Sequence, residues 1–276
     1  MDSVDGEQNS PLKVILMATD GSEFGLGTER VAMAMAQQHG SHLHVLRLLL
    51  SGHDPSERDE AEQHMARVEA TSVEKGITCT TMLRPCEDPA DGILDAAREV
   101  GANLILVGRR GKRGLARFMV GKATAEVIAQ APCHVLVVPR LVTMWSSGVL
   151  LVSVHELSDD TSLDLACHLA KASSLPLTAL MMADGDENDP RRREANQLAN
   201  RIIALAKQRD IPASGMVEHG DIEDAALEVA RQRAADLIVT EYHDDRSIVD
   251  RLLFNAHSVI QMIGRANCPV LVVKKG

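Results

Sequence analysis

Aromatic side chains are nearly missing from this chain, which has one Trp, one Tyr and three Phe among 276 residues. Stacking on single-stranded bases or on sugar rings needs aromatic platforms, so such binding is excluded as a main activity. The cores must be built from Ala, Val, Leu, Ile and Met. A net charge of -10 disfavours a general nucleic-acid binder, although a local basic patch can still act. Five cysteines, Cys79, Cys86, Cys133, Cys167 and Cys268, make an odd number with no CxxC spacing. They read as small buried hydrophobes of a reducing cytosol, not as a disulfide frame or a zinc site. No apolar run approaches the roughly 18 residues that span a bilayer. The opening MDSVDGEQNSPL has neither the basic nor the apolar region of a signal peptide. A cytoplasmic protein is expected, with no membrane span and no nucleic-acid partner.

What the chain does have is a repeat. APCHVLVV at 131–138 returns as ANCPVLVV at 266–273, identical at six of eight positions. DPADGILDAAREVGANLILVG at 88–108 returns as DIEDAALEVARQRAADLIVTE at 221–241, identical at eight of twenty-one. The offsets, 135 and 133, place two extra residues between the fourth strand and last helix of the second copy. Two tandem domains follow, 1–140 and 141–276, joined near Pro139–Gly148.

Each copy alternates strand with helix. In the first, Val14–Thr19 reads as a buried strand, 26–38 as a helix stopped by Gly40, and His42–Leu50 as a second strand. Asp54-Pro55-Ser56 opens a helix running to Gly76, and Ile77–Leu83 is a third strand. Asp88-Pro89 opens a third helix that ends near Gly101, followed by a strand at Leu104–Val107. Ala123–Gln130 is the last helix and His134–Val138 the last strand. Alternation of this kind predicts an α/β fold, a doubly wound, Rossmann-like parallel sheet in each domain.

Ligands of such sheets sit beyond the carboxyl ends of the strands, where the winding reverses. The loop after the fourth strand of the first copy, GRRGKRGLARFMVGK, carries Arg109, Arg110, Lys112, Arg113, Arg117 and Lys122 and no acid. Gly108 and Gly111 let backbone N–H groups approach an anion, and Gly121 opens a helix whose free amides favour phosphate. Asp20 ends the first strand, where it can accept hydrogen bonds from a base or sugar, or simply shape a turn. A Walker A reading of Ala116-x4-Gly121-Lys122 fails, because Ala123 replaces the magnesium-holding hydroxyl and the loop does not follow its strand directly. His39, His42 and His44 have no third ligand placed by sequence and read as sheet surface. No nucleophile triad or paired-carboxylate site is evident, so no catalytic and no metal-binding residue is assigned.

Gly108-x2-Gly111-x9-Gly121, together with VILMATDGSE and APCHVLVV, resembles the universal stress protein family, here in its tandem form. The family's nucleotide-binding members carry Ser or Thr where this chain has Lys122. The resemblance implies two adenine nucleotide alpha hydrolase-like domains, with ATP, with or without magnesium, as the ligand of the first. Matched by position, Asp20 would meet the adenine, Leu48 would line the base pocket, and Val107 and Gly108 would pass the ribose. Gly111, Gly121, Lys122 and Ala123 would hold the phosphates, with Arg109 assisting. In the second copy Asp20 aligns with His155, Gly108 with Glu241, Gly111 with Asp244 and Gly121 with about Ala256. Carboxylates and Cβ atoms there would turn a triphosphate away.

The expected function is a non-catalytic, ATP-binding regulatory protein of the stress response. Its expected partners are an adenine nucleotide, a regulatory protein and a second copy, paired through the apolar last strands HVLVV and PVLVV, which unpaired would invite aggregation. The alternatives are a ligand-free scaffold and a weak adenine-nucleotide hydrolase.

Overall fold

The computed structural model describes residues 10–23, 25–52, 54–110, 119–153, 160–185, 189–242 and 256–274. The chain divides into two compact units, Met1–Met144 and Trp145–Gly276. In the first, the order is β1 (Val14–Thr19), α1 (Leu26–His39), β2 (His42–Leu50), α2 (Pro55–Glu74), β3 (Cys79–Cys86), α3 (Pro89–Val100), β4 (Leu104–Gly108), α4 (Lys122–Gln130) and β5 (His134–Val138). The second repeats it with β6 (Val149–Ser153), α5 (Thr161–Ala172), β7 (Leu177–Met182), α6 (Pro190–Lys207), β8 (Ala213–Glu218), α7 (Ile222–Gln232), β9 (Leu237–Glu241), α8 (Ala256–Arg265) and β10 (Val270–Val273).

Within the first unit the strands lie in the order β3-β2-β1-β4-β5, and within the second β8-β7-β6-β9-β10. The pairs inside each unit are parallel. Parallel strands covered on both faces read as unbroken apolar runs. Accordingly β6 and β9 are buried throughout, and β4 is buried from Leu104 to Val107. The third strand departs from the sequence reading, running to Cys86 instead of ending at Leu83. Pro85 falls within it, and β3 is the outer strand of its unit's order and pairs only with β2 within that unit. A strand edge does not need the missing N–H.

Helix stops show how the two copies diverged. Gly40, Gly76 and Gly101 follow α1, α2 and α3 with φ of 64°, 67° and 62°. In each case the next residue's N–H closes the turn, Ser41 to Ala36, Ile77 to Ser72 and Ala102 to Ala97. The second unit makes the same closures, Leu175 to Ala170, Ile211 to Ala206 and Ala235 to Ala230. Its left-handed residues are Ser174, Asp210 and Ala234, at φ of 55°, 62° and 52°. The geometry persisted after the glycines were lost, although a Cβ in this region is unfavourable.

Strand register also corrects one correspondence. Ile15 pairs with Leu104 and Leu43 as Val149 pairs with Leu237 and Leu177. Thr19 therefore matches Ser153, and the residue matching Asp20 is Val154, one place before His155. Both Val154 and His155 lie outside the described residues, but Val154 is a hydrophobe where Asp20 stands in the first unit.

Candidate functional site

In the first unit the winding reverses at β1, which has β2 on one side and β4 on the other. A cavity of about 490 Å³ opens at the carboxyl ends of these strands, within the ordinary range for small-molecule sites. Asp20 and Leu48 line it from β1 and β2, and Val107 and Gly108 from the end of β4. Gly121, Lys122 and Ala123 line it from the start of α4. Arg109 is not part of the lining, whereas its neighbour Arg110 is. Arg109 donates its backbone N–H to Val138 O at 3.1 Å, continuing the β4–β5 ladder. Burial lowers the Arg109 pKa, and the neighbouring Arg110 charge adds to that effect. Gly111 lies outside the described residues.

The turn after β1 rests on a polar network. Asp20 Oδ1 accepts from the Ser22 N–H at 3.0 Å and from Ser22 Oγ at 2.6 Å. Thr19 Oγ1 donates to Glu29 Oε1 at 2.7 Å, and the Gly21 N–H donates to Thr19 Oγ1 at 3.1 Å. His64 Nε2 lies 3.0 Å from the same Glu29 oxygen. Thr19, Glu29 and His64 are all buried, and pairing of this kind is what makes a buried carboxylate tolerable. Opposite, Gly92 brings α3 so close to β2 that an added Cβ would lie 2.9 Å from Leu48 Cδ1. The Leu48 side chain is thereby set as an apolar wall.

Gly108 and Gly121 are glycines for a different reason than those that stop helices. Gly121 has an ordinary φ of -65°. A Cβ there would have its nearest neighbour at 3.7 Å, and one at Gly108 at 3.4 Å. The protein itself has room for a side chain at both positions, and both line the cavity. Gly121 also starts α4 with no side-chain cap. Helices α2 and α3, by contrast, are capped by Asp54, which accepts from the Ser56 N–H, and by Asp88, which accepts from the Ala90 N–H. An uncapped helix N-terminus presents free N–H groups and the positive end of the helix dipole. Thr124 Oγ1 donates to Gly108 O at 3.0 Å, joining the two ends of the glycine loop.

Lys122 stands at the rim, 3.4 Å from Glu126 and 4.0 Å from Asp88, with its side chain 81% exposed. The two acids offset a cation placed unfavourably at a helix N-terminus. Arg47 on β2, Arg110 and Thr124 also line the cavity, and the sequence reading did not assign them to the site. For Arg47 the signal in the sequence is its charge, set within the apolar stretch VLRLLL of β2. Of the histidines read as sheet surface, His42 and His44 lie half-buried on β2, where His42 Nε2 bonds Thr80 Oγ1 at 2.8 Å and its ring stacks on His44, whereas His39 ends α1. Among the described residues no group of three His, Cys, Asp or Glu side chains could hold a metal ion.

The second unit treats the same place differently. Glu241 pairs with Val273 as Gly108 pairs with Val138, so a carboxylate stands where the first unit has a hydrogen atom. Glu241 is buried and accepts a hydrogen bond from Ser162 Oγ in the first turn of α5. Asp244 and the loop around it lie outside the described residues.

The profile of the universal stress protein family matches residues 11–139 and again 154–274. A universal stress protein of Thermus aquaticus is 33% identical over 134 residues, covering 46% of this chain and 98% of that one. Another, from Methanocaldococcus jannaschii, is 28% identical over 142 residues, covering 46% and 82%. The crystal structure of a universal stress protein from Archaeoglobus fulgidus superposes with a TM-score of 0.71 at 18% identity, covering 95% of this chain and 96% of that one. One from Pseudomonas aeruginosa gives 0.70 at 17% identity, covering 95% and 93%. At these identities the structures speak for the fold.

Proposed function

The chain belongs to the universal stress protein family, and on that premise we propose that its first unit binds ATP and serves as a nucleotide-responsive regulator. The base would sit against Leu48 near Asp20, and the phosphates would lie over Gly108, Gly121 and the amides of Lys122 and Ala123. The observation that carries this reading is the pair of glycines in the cavity lining. Neither backbone angle nor internal packing asks for glycine at 121, and at 108 packing leaves room. A ligand pressed against the backbone does ask for it.

The second unit, with buried Glu241 in place of Gly108, would serve as a partner domain without nucleotide. Titration calorimetry of the full chain with ATP tests the reading. One site per chain is expected, abolished by Gly121→Val. Two sites, or binding that survives Gly121→Val, would overturn it.

A further inference from the structure

We infer that Arg47 reads the base of the nucleotide, donating to a ring-nitrogen acceptor while Asp20 takes the neighbouring amino group. The inference rests on the nucleotide reading above and adds to it a specificity-determining residue.

Arg47 is 8% exposed and lines the cavity. Among the described residues it has no hydrogen bond and no ion pair. The Arg47 guanidinium sits close to Gly21. A Cβ there would fall 2.8 Å from Arg47 Cζ and 3.3 Å from His64 Nδ1. His64 gives its other nitrogen to Glu29, and its Nδ1 is buried without a partner. His64 does not neutralise the guanidinium, and Arg47 is part of the cavity lining.

Local charge decides what that is. Asp20 and Glu57 line the cavity with Arg47, and Glu29 bonds Thr19, the strand partner of Arg47. Three carboxylates against one guanidinium disfavour a phosphate at this end. The basic groups Arg110 and Lys122 and the uncapped α4 lie at the other. A neutral acceptor beside a donor suits an arginine next to an aspartate, and the edge of adenine presents that pair.

The second unit supplies an internal control. Thr19 pairs with Arg47 as Ser153 pairs with Met181. The unit whose glycine cradle is replaced by Glu241 thus has a methionine where the guanidinium would be. Arg47 accompanies the cradle, and Arg47→Met places a side chain that this fold already accommodates.

The test measures binding of ATP, 1-deaza-ATP, 7-deaza-ATP and GTP to the full chain and to Arg47→Met, with melting of both proteins free of nucleotide. Arg47→Met is expected to weaken ATP about tenfold, the scale of a hydrogen bond from a charged donor. One deaza analogue should bind the wild type about tenfold more weakly than ATP, and that difference should vanish in Arg47→Met. The empty variant should melt close to the wild type, because methionine already fills the matching place in the second unit. A lower melting temperature would make Arg47 structural and overturn the inference. Equal ATP affinity of the two proteins, or analogue losses that persist in Arg47→Met, would also overturn it. GTP binding tighter than ATP overturns the choice of adenine. A wild-type chain that binds no ATP overturns the nucleotide reading as well, which separates the two failures.

Discussion

The Thr124 hydroxyl donates to the Gly108 carbonyl at 3.0 Å, fastening the start of α4 to the end of β4. Thr124 is buried and lines the cavity, so this bond sets the spacing of the two glycines against which the phosphates would lie. Thr124→Val keeps the shape and removes the donor. It is expected to cost about 1 kcal/mol of stability and to weaken ATP severalfold. Denaturant unfolding and calorimetry on one preparation check both, and a loss of stability with unchanged affinity would separate the bond from the site.

Gly92→Ala sets affinity against stability. Alanine in a helix interior is favoured over glycine by about 1 kcal/mol, and the obstacle to its Cβ is the movable end of Leu48. The helix should hold while Leu48 is displaced toward the cavity. The variant should melt at or above the wild-type temperature and bind ATP several times more weakly. Unchanged affinity would mean that the base does not rest on Leu48.

The left-handed helix stops of the second unit are a store of recoverable stability. Ala234 at φ 52° occupies the place of Gly101 at φ 62°. Ala234→Gly should stabilise that unit by about 0.5–1 kcal/mol, the relief of Cβ strain less the entropy of the added glycine. Gly101→Ala should destabilise the first unit by about as much. Asp210→Gly should gain less, since Asp tolerates this region better than Ala. Chemical denaturation reads all three.

Much of this architecture was legible from composition and spacing, and the exceptions have physical causes. Strands β1, β2 and β5 lie where the sequence predicts them, as mostly apolar runs. β3 was misjudged because a proline weighs against a strand unless the strand is at an edge, which sequence does not show. The match of Asp20 to His155 failed by one residue because similar apolar runs align equally well in two registers. Hydrogen-bonded pairing distinguishes them. Arg47 was passed over because neighbouring strand residues face opposite ways, and only the cavity shows that a position next to Leu48 also reaches it. Arg110 was passed over for Arg109 because the loop's exit from β4 turns on one backbone bond, Arg109 N–H to Val138 O.

Acid should weaken the fold through its buried imidazoles. Burial lowers the pKa of His134 on β5 and of His168 on α5, and burial with the His42 charge lowers that of His44. The unfolded chain titrates near the ordinary histidine value of about 6.5 and the folded chain lower, so between those values the unfolded state binds more protons. Stability is therefore full above about pH 6.5 and falls as pH drops through that window. His134→Leu should flatten part of the decline, because proline already fills the matching position in PVLVV. An unchanged slope between pH 7 and 5 in that variant would remove His134 from the cause.

Lys122 decides how the rim of the cavity treats phosphate. Its ammonium lies 3.4 Å from Glu126 and 4.0 Å from Asp88 and is 81% exposed. The pairing moderates the penalty of a cation at a helix N-terminus, and exposure limits what the same cation offers a ligand. Phosphate would compete with two carboxylates for one flexible side chain. Lys122→Ala is therefore expected to weaken ATP about twofold to fivefold, the scale of an exposed ion pair, and to leave adenosine unchanged. The difference should shrink as salt rises, since such charges are screened over about 10 Å at 0.1 M. Lys122→Ser should bind ATP about as well as the wild type, because a hydroxyl at the first position of α4 replaces a weak ion pair with a hydrogen bond at shorter range. Tighter ATP binding by the serine variant would mean that the lysine obstructs the site. Equal losses of ATP and adenosine in Lys122→Ala would mean that it braces the loop without meeting phosphate.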